Sequence, residues 1–362
     1  MGRVSGCYAP AVQELPRLKC EKCSKVFEID RKTPWCDCGG VFDLDFKPRH
    51  FAVDPREFGF WRYLGILPLR ERLSLGEPIT PVVNLSLEWR SVDAKLEYLL
   101  PTGSFKDRGA AILVGVMKEA GVGRFMEDSS GNAGAAMSAY ACRAGIACEI
   151  YCPSEASPSK LIQVRRTGAT IHRIDGPRDN TTAAVREKIG RVFYASHNWH
   201  PLFLHGTKTM AYEIAEQYGW NPPKHVVAPT GGGAVLLGLH LGFGELYRMG
   251  RISQFPRFHA VQAEACAPLL QRDVQARPSL AEGILTSRPP RLNQLRQVVD
   301  QVVAVSEEEI RDGFRILGRA GLNAEPTAAV VVHGIRKLAI PADESVLVIL
   351  TGSGLKSSLS VE

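Results

Sequence analysis

From about residue 95 onward, short apolar strand-like runs alternate with longer helical ones, and this alternation restricts the fold more than any other feature. Strand candidates are 95–99, 124–127, 148–152, 170–174, 225–228, 258–262, 302–305 and 345–350. Several are unbroken Val/Ile-rich runs, as expected of strands covered on both faces. Helical runs at 109–120, 133–144, 209–218 and 307–320 separate them. Parallel strands need a crossover between them, and a helix is the usual one. The order therefore predicts an α/β architecture with mostly parallel sheets. The sequence contains no fixed-period repeat. The stretch 49–89 is mixed and punctuated by proline, and it takes no assignment.

Ligands of open α/β sheets bind beyond the carboxyl ends of the strands. Four segments rich in small residues fall at such ends. The first, Pro101-Thr-Gly-Ser-Phe-Lys106-Asp-Arg-Gly109, sets Lys106 near a helix N-terminus. The positive end of the helix dipole there favours a neutral amine, the form a Schiff-base lysine needs. The second, Ser129-Ser130-Gly131-Asn132-Ala133-Gly134, exposes backbone N–H groups and adds an amide. The third, Thr230-Gly231-Gly232-Gly233-Ala234, suits a phosphate approached closely by backbone. It is neither a Rossmann fingerprint, since Leu236 stands where glycine is needed, nor a P-loop, since it has no lysine. The fourth is Thr351-Gly352-Ser353-Gly354-Leu355-Lys356, whose hydroxyl at a strand end can reach a central site. Taken singly, each has a plainer reading: an exposed lysine, a serine helix cap, a flexible turn, a simple turn.

Together and in this order, the four segments resemble the fold-type II pyridoxal-phosphate enzymes, most closely the threonine synthase-like ones. Ala260-Val-Gln-Ala263 and Gly321-Leu-Asn-Ala-Glu-Pro326 add smaller similarities, so the resemblance covers nearly the whole chain. It implies that Lys106 carries the cofactor as a Schiff base and that Asn132 contacts the pyridine 3-oxygen. It implies that Gly231, Gly232, Gly233 and Ala234 bind the cofactor phosphate and that Thr351 meets the pyridine nitrogen. Ser130, Gly131, Asn132 and Ala133 would hold the substrate carboxylate. A neutral hydroxyl at the ring nitrogen weakens the electron sink, which leaves elimination and replacement feasible and discourages transamination. The implied fold has two open, mostly parallel sheet domains with the cofactor in the cleft between them. The large domain would comprise 49–108 and 201–362, the small one 109–200. A homodimer is also implied.

One segment departs from the family pattern. Aligned on Pro201, Gly206 and Lys208-Thr209, the family's phosphate-clasping arginine becomes Phe203, and its asparagine becomes His200. A guanidinium there would contribute a charge-assisted contact of about 1.5–3 kcal/mol. His200, Lys208 or an arginine elsewhere are candidates to compensate, while Phe203 is equally read as a core residue. Ser353 stands where the family has histidine.

Residues 1–48 form a segment of their own, with Cys20-x2-Cys23 and Cys36-x-Cys38 followed by Gly39-Gly40. Four thiolates at this spacing predict a closed, structural zinc site, and the segment resembles the zinc ribbon of some threonine synthases. Cys142, Cys148, Cys152 and Cys266 lie in apolar surroundings, where buried inert thiols are expected.

A net charge of +6, with 45% hydrophobic and 23% charged residues, is that of an ordinary globular chain with no basic block built for nucleic acid. No apolar run approaches the roughly 18 residues of a membrane span, and the first residues lack the apolar core of a signal peptide. The expectation is a cytoplasmic lyase acting on a small amino acid, with no nucleic-acid or membrane partner. O-Phosphohomoserine converted to threonine and phosphate is the leading reaction. β-Replacement on O-phosphoserine in the manner of a cysteate synthase, an ammonia-lyase or dehydratase reaction, and a non-catalytic binding protein are the alternatives.

Overall fold

Residues 14–48, 51–156, 158–176 and 178–356 are described in a computed structural model. The start of the cysteine segment and the last six residues of the expected large domain lie outside them. Three sheets organise the chain. The first is small and antiparallel: β1 (Arg17–Cys20), β2 (Val26–Phe27) and β3 (Phe42–Asp45) in the order β2-β1-β3.

A hairpin follows: β4 (Val82–Leu87), from the stretch that took no sequence assignment, and β5 (Arg90–Leu96), just beyond it. The strand expected at 95–99 thus ends three residues early. Glu97 is drawn out of it into a buried ion pair with Arg108, and Glu97–Leu99 turn as a short 3-10 helix. The next helix, α1 (Lys106–Glu119), begins at Lys106 itself, three residues before its predicted start.

The second sheet follows: β6 (Arg124–Glu127), α2 (Asn132–Ala144), β7 (Ala147–Pro153), α3 (Pro158–Arg166), β8 (Thr170–Ile174), α4 (Arg178–Lys188) and β9 (Phe193–Tyr194). Its four strands are all parallel, in the order β8-β7-β6-β9. Cys148 and Cys152 are buried in it, but Cys142 is exposed, because it falls on the outward stripe of α2.

The chain then passes through α5 (Pro201–Thr207), α6 (Thr209–Gln217), β10 (His225–Pro229), α7 (Ala234–Arg248), β11 (Arg257–Ala263), α8 (Leu292–Val298), β12 (Gln301–Val305), α9 (Glu307–Arg319), α10 (Pro326–Lys337) and β13 (Val346–Leu350). The six-stranded sheet has the order β12-β11-β10-β13-β5-β4 and is parallel except for β4. β13 explains why these strands read as unbroken apolar runs. Leu347 and Ile349 enter one hydrophobic cluster and Val346, Val348 and Leu350 the other, so both faces are covered.

The cysteine segment touches the four-stranded sheet on one side and the start of α8 on the other. The Tyr194 N–H at the edge of the four-stranded sheet donates to the Lys32 carbonyl at 3.1 Å, and Trp35 packs edge-on to Tyr194. On the other side the buried Arg291 donates to the Phe42 and Trp199 carbonyls. No helix among the described residues is long and apolar enough to cross a membrane.

Candidate active site

The loops that carry the four sequence segments follow strands β5, β6, β10 and β13, at their carboxyl ends. Two of them are stitched together by backbone. The Phe105 N–H donates to the Thr351 carbonyl at 3.0 Å, and the Ser353 N–H to the Gly103 carbonyl at 2.9 Å. Glu325 joins through its own N–H, which reaches the Gly352 carbonyl at 2.8 Å. Asn132, from the other sheet, then closes on Glu325 with its side chain at 3.0 and 3.1 Å.

Lys106 stands at the first turn of α1, with its ammonium 4.8 Å from the Phe105 ring centre and 5.6 Å from that of Phe203. Among the described residues its Nζ has no hydrogen-bond or ion-pair partner. Burial pulls its pKa down to about 8, against the opposing pull of the Glu127 and Glu325 carboxylates. Desolvation acts in the same direction as the helix dipole that sequence reasoning invoked. The neighbouring Asp107 accepts from the Thr102 N–H and hydroxyl at 2.7 and 2.5 Å. Its burial outweighs those bonds and raises it to about 7.

Ser130, Gly131, Asn132 and Ala133 turn from β6 into α2. Gly131 is the N-cap and no side chain caps the helix, so the capping explanation for these serines fails. Asp128, which begins the loop, is held by the Tyr194 hydroxyl at 2.8 Å. The helix itself leans close to the loop: a Cβ on Gly134 would meet the Ser129 carbonyl oxygen at 1.9 Å.

The glycine loop after β10 is tight for three separate reasons. A Cβ on Gly231 would meet the Ile284 backbone at 2.7 Å, and one on Gly232 the Asn198 amide oxygen at 2.1 Å. Gly233 has φ +85°, a left-handed conformation that side chains avoid. Ala234 opens α7, whose N-terminus has no side-chain cap and so leaves its first N–H groups for an anion. In the adjacent strand-end loop, the Thr351 hydroxyl is buried without a hydrogen-bond partner among the described residues.

Phe203 is fully buried on α5. Its ring fills the space over Gly109, where a Cβ would come within 2.4 Å. The core reading of this residue holds. His200 cannot replace a guanidinium. Burial, aided by Arg291, drops its pKa to about 3, and its Nδ1 accepts from the Leu202 N–H. Lys208 cannot either, because it is buried in an ion pair with Glu245 at 3.0 Å.

Sequence reasoning missed Glu127, His197, Asn198 and Lys356. Glu127 accepts from the His197 N–H at 3.1 Å and pairs with its Nδ1 at 2.6 Å, close to Lys106. Glu325 was visible as part of a motif but not as Asn132's partner. It also missed the buried network below Lys106, in which Arg108 binds Glu97 and Glu213 and Lys95 binds Glu213. No local pattern marks these pairs, because their partners lie up to 118 positions apart.

The four cysteines converge. Their sulfurs all lie within 4.8 Å of one another, with Cys20–Cys38 and Cys23–Cys36 at 3.5 Å. Four ligands at about 2.3 Å around a tetrahedral ion would stand about 3.8 Å apart. Gly39 has φ +78°, and a Cβ on Gly40 would come within 2.8 Å of Cys20 Sγ, so both glycines are needed for this turn. Burial works against a Cys20 thiolate, but the Cys23 and Lys22 N–H groups win and hold its pKa at about 7.

A family model described as pyridoxal-phosphate dependent enzyme matches residues 73–352. The chain belongs to this family. Threonine synthase of Methanocaldococcus jannaschii is 30% identical to this pyridoxal-phosphate-dependent enzyme, over 93% of this chain and 92% of its own. Threonine synthase of Bacillus sp. (strain ULM1) is 32% identical, over 82% and 89%. Among solved structures, O-ureido-L-serine synthase superposes with a TM-score of 0.67 at 23% identity, covering 77% of this chain and 90% of that one. The O-acetylserine dependent cystathionine beta-synthase of Helicobacter pylori superposes at 0.65 and 23%, covering 76% and 93%. These two share the fold. The protein is a threonine synthase-like, pyridoxal-phosphate-dependent lyase.

The site fits the cofactor on its own chemistry. Among the described residues, an unpaired amine of lowered pKa, an uncapped helix N-terminus behind a glycine loop and an unpartnered buried hydroxyl match an aldehyde, a phosphate and a ring nitrogen.

Proposed function

We propose that this enzyme eliminates phosphate from a small phosphorylated amino acid, and that its reaction is O-phosphohomoserine plus water giving threonine plus phosphate. The observation that carries the reading is Lys106: an amine with no hydrogen-bond or ion-pair partner among the described residues, its pKa lowered to about 8, in a loop bonded to Thr351. The likeness to threonine synthases over most of the chain supports the substrate.

When bound, the cofactor supplies an electron sink joined to the substrate's amino group. Lys106 holds it through Nζ, then takes and returns the substrate's protons at that atom. Gly231, Gly232, Gly233 and Ala234 bind its phosphate with backbone N–H groups. Asn132 orients its ring oxygen. Thr351 offers the ring nitrogen a neutral hydroxyl and so favours elimination and replacement over transamination. Ser130, Gly131, Asn132 and Ala133 bind the substrate carboxylate. The domains are 49–108 with 201–362, and 109–200, meeting at the cleft that these loops line. Family resemblance also supports a homodimer working in the cytoplasm, with a small amino acid as its partner.

Cys20, Cys23, Cys36 and Cys38 hold a structural zinc ion, supported by their mutual spacing. Purified protein should carry about one equivalent of zinc, and a chelator should lower its melting temperature. Metal-free protein that melts unchanged rules the ion out.

The deciding experiment is an absorption spectrum with product analysis. Wild type should show the visible band of a lysine-bound cofactor, absent in Lys106→Ala, and should release threonine and phosphate from O-phosphohomoserine. Turnover of O-phosphoserine with an added nucleophile instead would move the enzyme to β-replacement. Ammonia release from a hydroxy or diamino acid would make it an ammonia-lyase or dehydratase. Protein that stays colourless with added cofactor would make it a binding protein.

A further inference from the structure

If the substrate carries a phosphate, as proposed above, the enzyme needs a cation for it, and the arginine position is filled by Phe203. Among the described residues, Arg108, Lys95, Lys208 and Arg291 are already committed. Arg108 is saturated by Glu97 and Glu213, and Lys95 by Glu213, Gln217 and the Thr80 carbonyl. Lys208 is paired with Glu245. Arg291 is spent on the Phe42 and Trp199 carbonyls, Gln294 and Asp43. Lys106 is required by the cofactor.

Lys356 differs from all of these. Its Nζ donates to the Asn132 amide oxygen at 3.0 Å, and among the described residues it has no carboxylate ion-pair partner. Its path is left open on purpose by the backbone. Gly103, in the loop that carries Lys106, has φ +81°, and a Cβ there would meet Lys356 Cε at 2.9 Å. The lysine is half-buried and reaches the same asparagine that binds Glu325. The nearby carboxyls weaken as counter-ions, since burial pushes Asp107 up to about 7 and raises Glu325 as well.

We propose that Lys356 is the residue that binds the phosphate of the substrate, in place of the guanidinium that Phe203 excludes. An amide oxygen is a neutral partner, and a phosphate dianion offers the ammonium a stronger, charge-assisted bond. Lysine serves as a point charge for phosphate where no planar fork is available. The proposal makes Lys356 a specificity-determining residue: it acts on phosphorylated substrates and leaves unphosphorylated ones alone.

The test uses the holoenzymes of wild type, Lys356→Met and Lys356→Arg. Each is titrated with O-phosphohomoserine and with L-homoserine, the cofactor band reporting binding, and inorganic phosphate is measured as a competitor. In Lys356→Met, affinity for O-phosphohomoserine and for inorganic phosphate should each fall about ten- to hundredfold. Affinity for L-homoserine should hold within about twofold, and Lys356→Arg should recover most of the loss. Three results overturn the proposal. Unchanged phosphate affinity in Lys356→Met removes the contact. Equal weakening of both amino acids, with an altered cofactor band, makes Lys356 a support for Asn132 only. A wild-type enzyme that binds L-homoserine but is indifferent to O-phosphohomoserine and to phosphate removes the phosphorylated substrate itself. The last is told apart from the others because it appears without any mutation.

Discussion

Asn132 donates from its Nδ2 to both carboxylate oxygens of Glu325, at 3.1 and 3.0 Å, across 193 positions of sequence. The bond runs from the start of α2 beside the four-stranded sheet to the start of α10 beside the six-stranded one. It sets a carboxylate near Lys106, which raises the lysine's pKa while burial lowers it.

That balance has a measurable consequence. Only the neutral amine captures the cofactor aldehyde, so holoenzyme formation from apoenzyme should speed up as pH rises through about 8, well below the ordinary lysine value of 10.5. Glu325→Gln removes one of the two carboxylates that raise this pKa, so its midpoint should be lower still. Stopped-flow mixing with pyridoxal phosphate across pH gives both midpoints. A wild-type midpoint near 10.5 would count against the buried amine.

Restoring the family arginine should harm rather than help. Phe203→Arg would place a guanidinium in a fully buried space over Gly109, beside the Lys106 amine. An unpaired buried charge costs several kcal/mol, so the melting temperature should fall. Affinity for O-phosphohomoserine should not improve. A variant that is stable and binds more tightly would contradict the packing of Phe203 over Gly109.

Breaking the network under the site should destabilise strongly. Arg108 bridges Glu97 and Glu213, all with side chains fully buried. Arg108→Met leaves two carboxylates facing one remaining lysine, a loss of about 3–5 kcal/mol by denaturant titration. A change under about 1 kcal/mol would mean that the network relaxes or takes up water.

Acid should unfold the protein partly through His200. Its pKa is near 3 in the folded chain, against 6.5 for an ordinary histidine. The unfolded state therefore binds more protons between these values. Stability is full above pH about 6.5 and falls as pH drops toward 3, by about 1.4 kcal/mol for each unit of depression reached. His200→Asn should flatten the melting-temperature profile over that range. An unchanged profile would place the acid sensitivity elsewhere.

The α/β class and the order of most strands were legible because parallel strands buried on both faces must be continuously apolar, as β10 and β13 are. The hairpin β4–β5 was not, since β4 lies at the edge and mixes Asn84 and Ser86 with Leu85 and Leu87. Glu97 was read as part of a strand because propensity is silent about an ion pair with a residue on the next helix. In the site, Lys106, Asn132, the glycine loop and Thr351 stood out as small-residue turns after strands. Lys356 did not, because its meaning depends on Gly103 and Asn132, far away in the chain.

By itself the sequence determined the α/β class, the loops of the candidate site and the four cysteines of one candidate metal site. These follow from local rules: hydrophobic period, strand-to-helix turns and ligand spacing. Only the tertiary structure decided how charged the site is. Whether a lysine is neutral, paired or free depends on burial and on carboxylates brought from distant segments. That separates Lys106 and Lys356, which make no ion pair among the described residues although carboxylates lie near both, from Lys95 and Lys208, which are neutralised within the core.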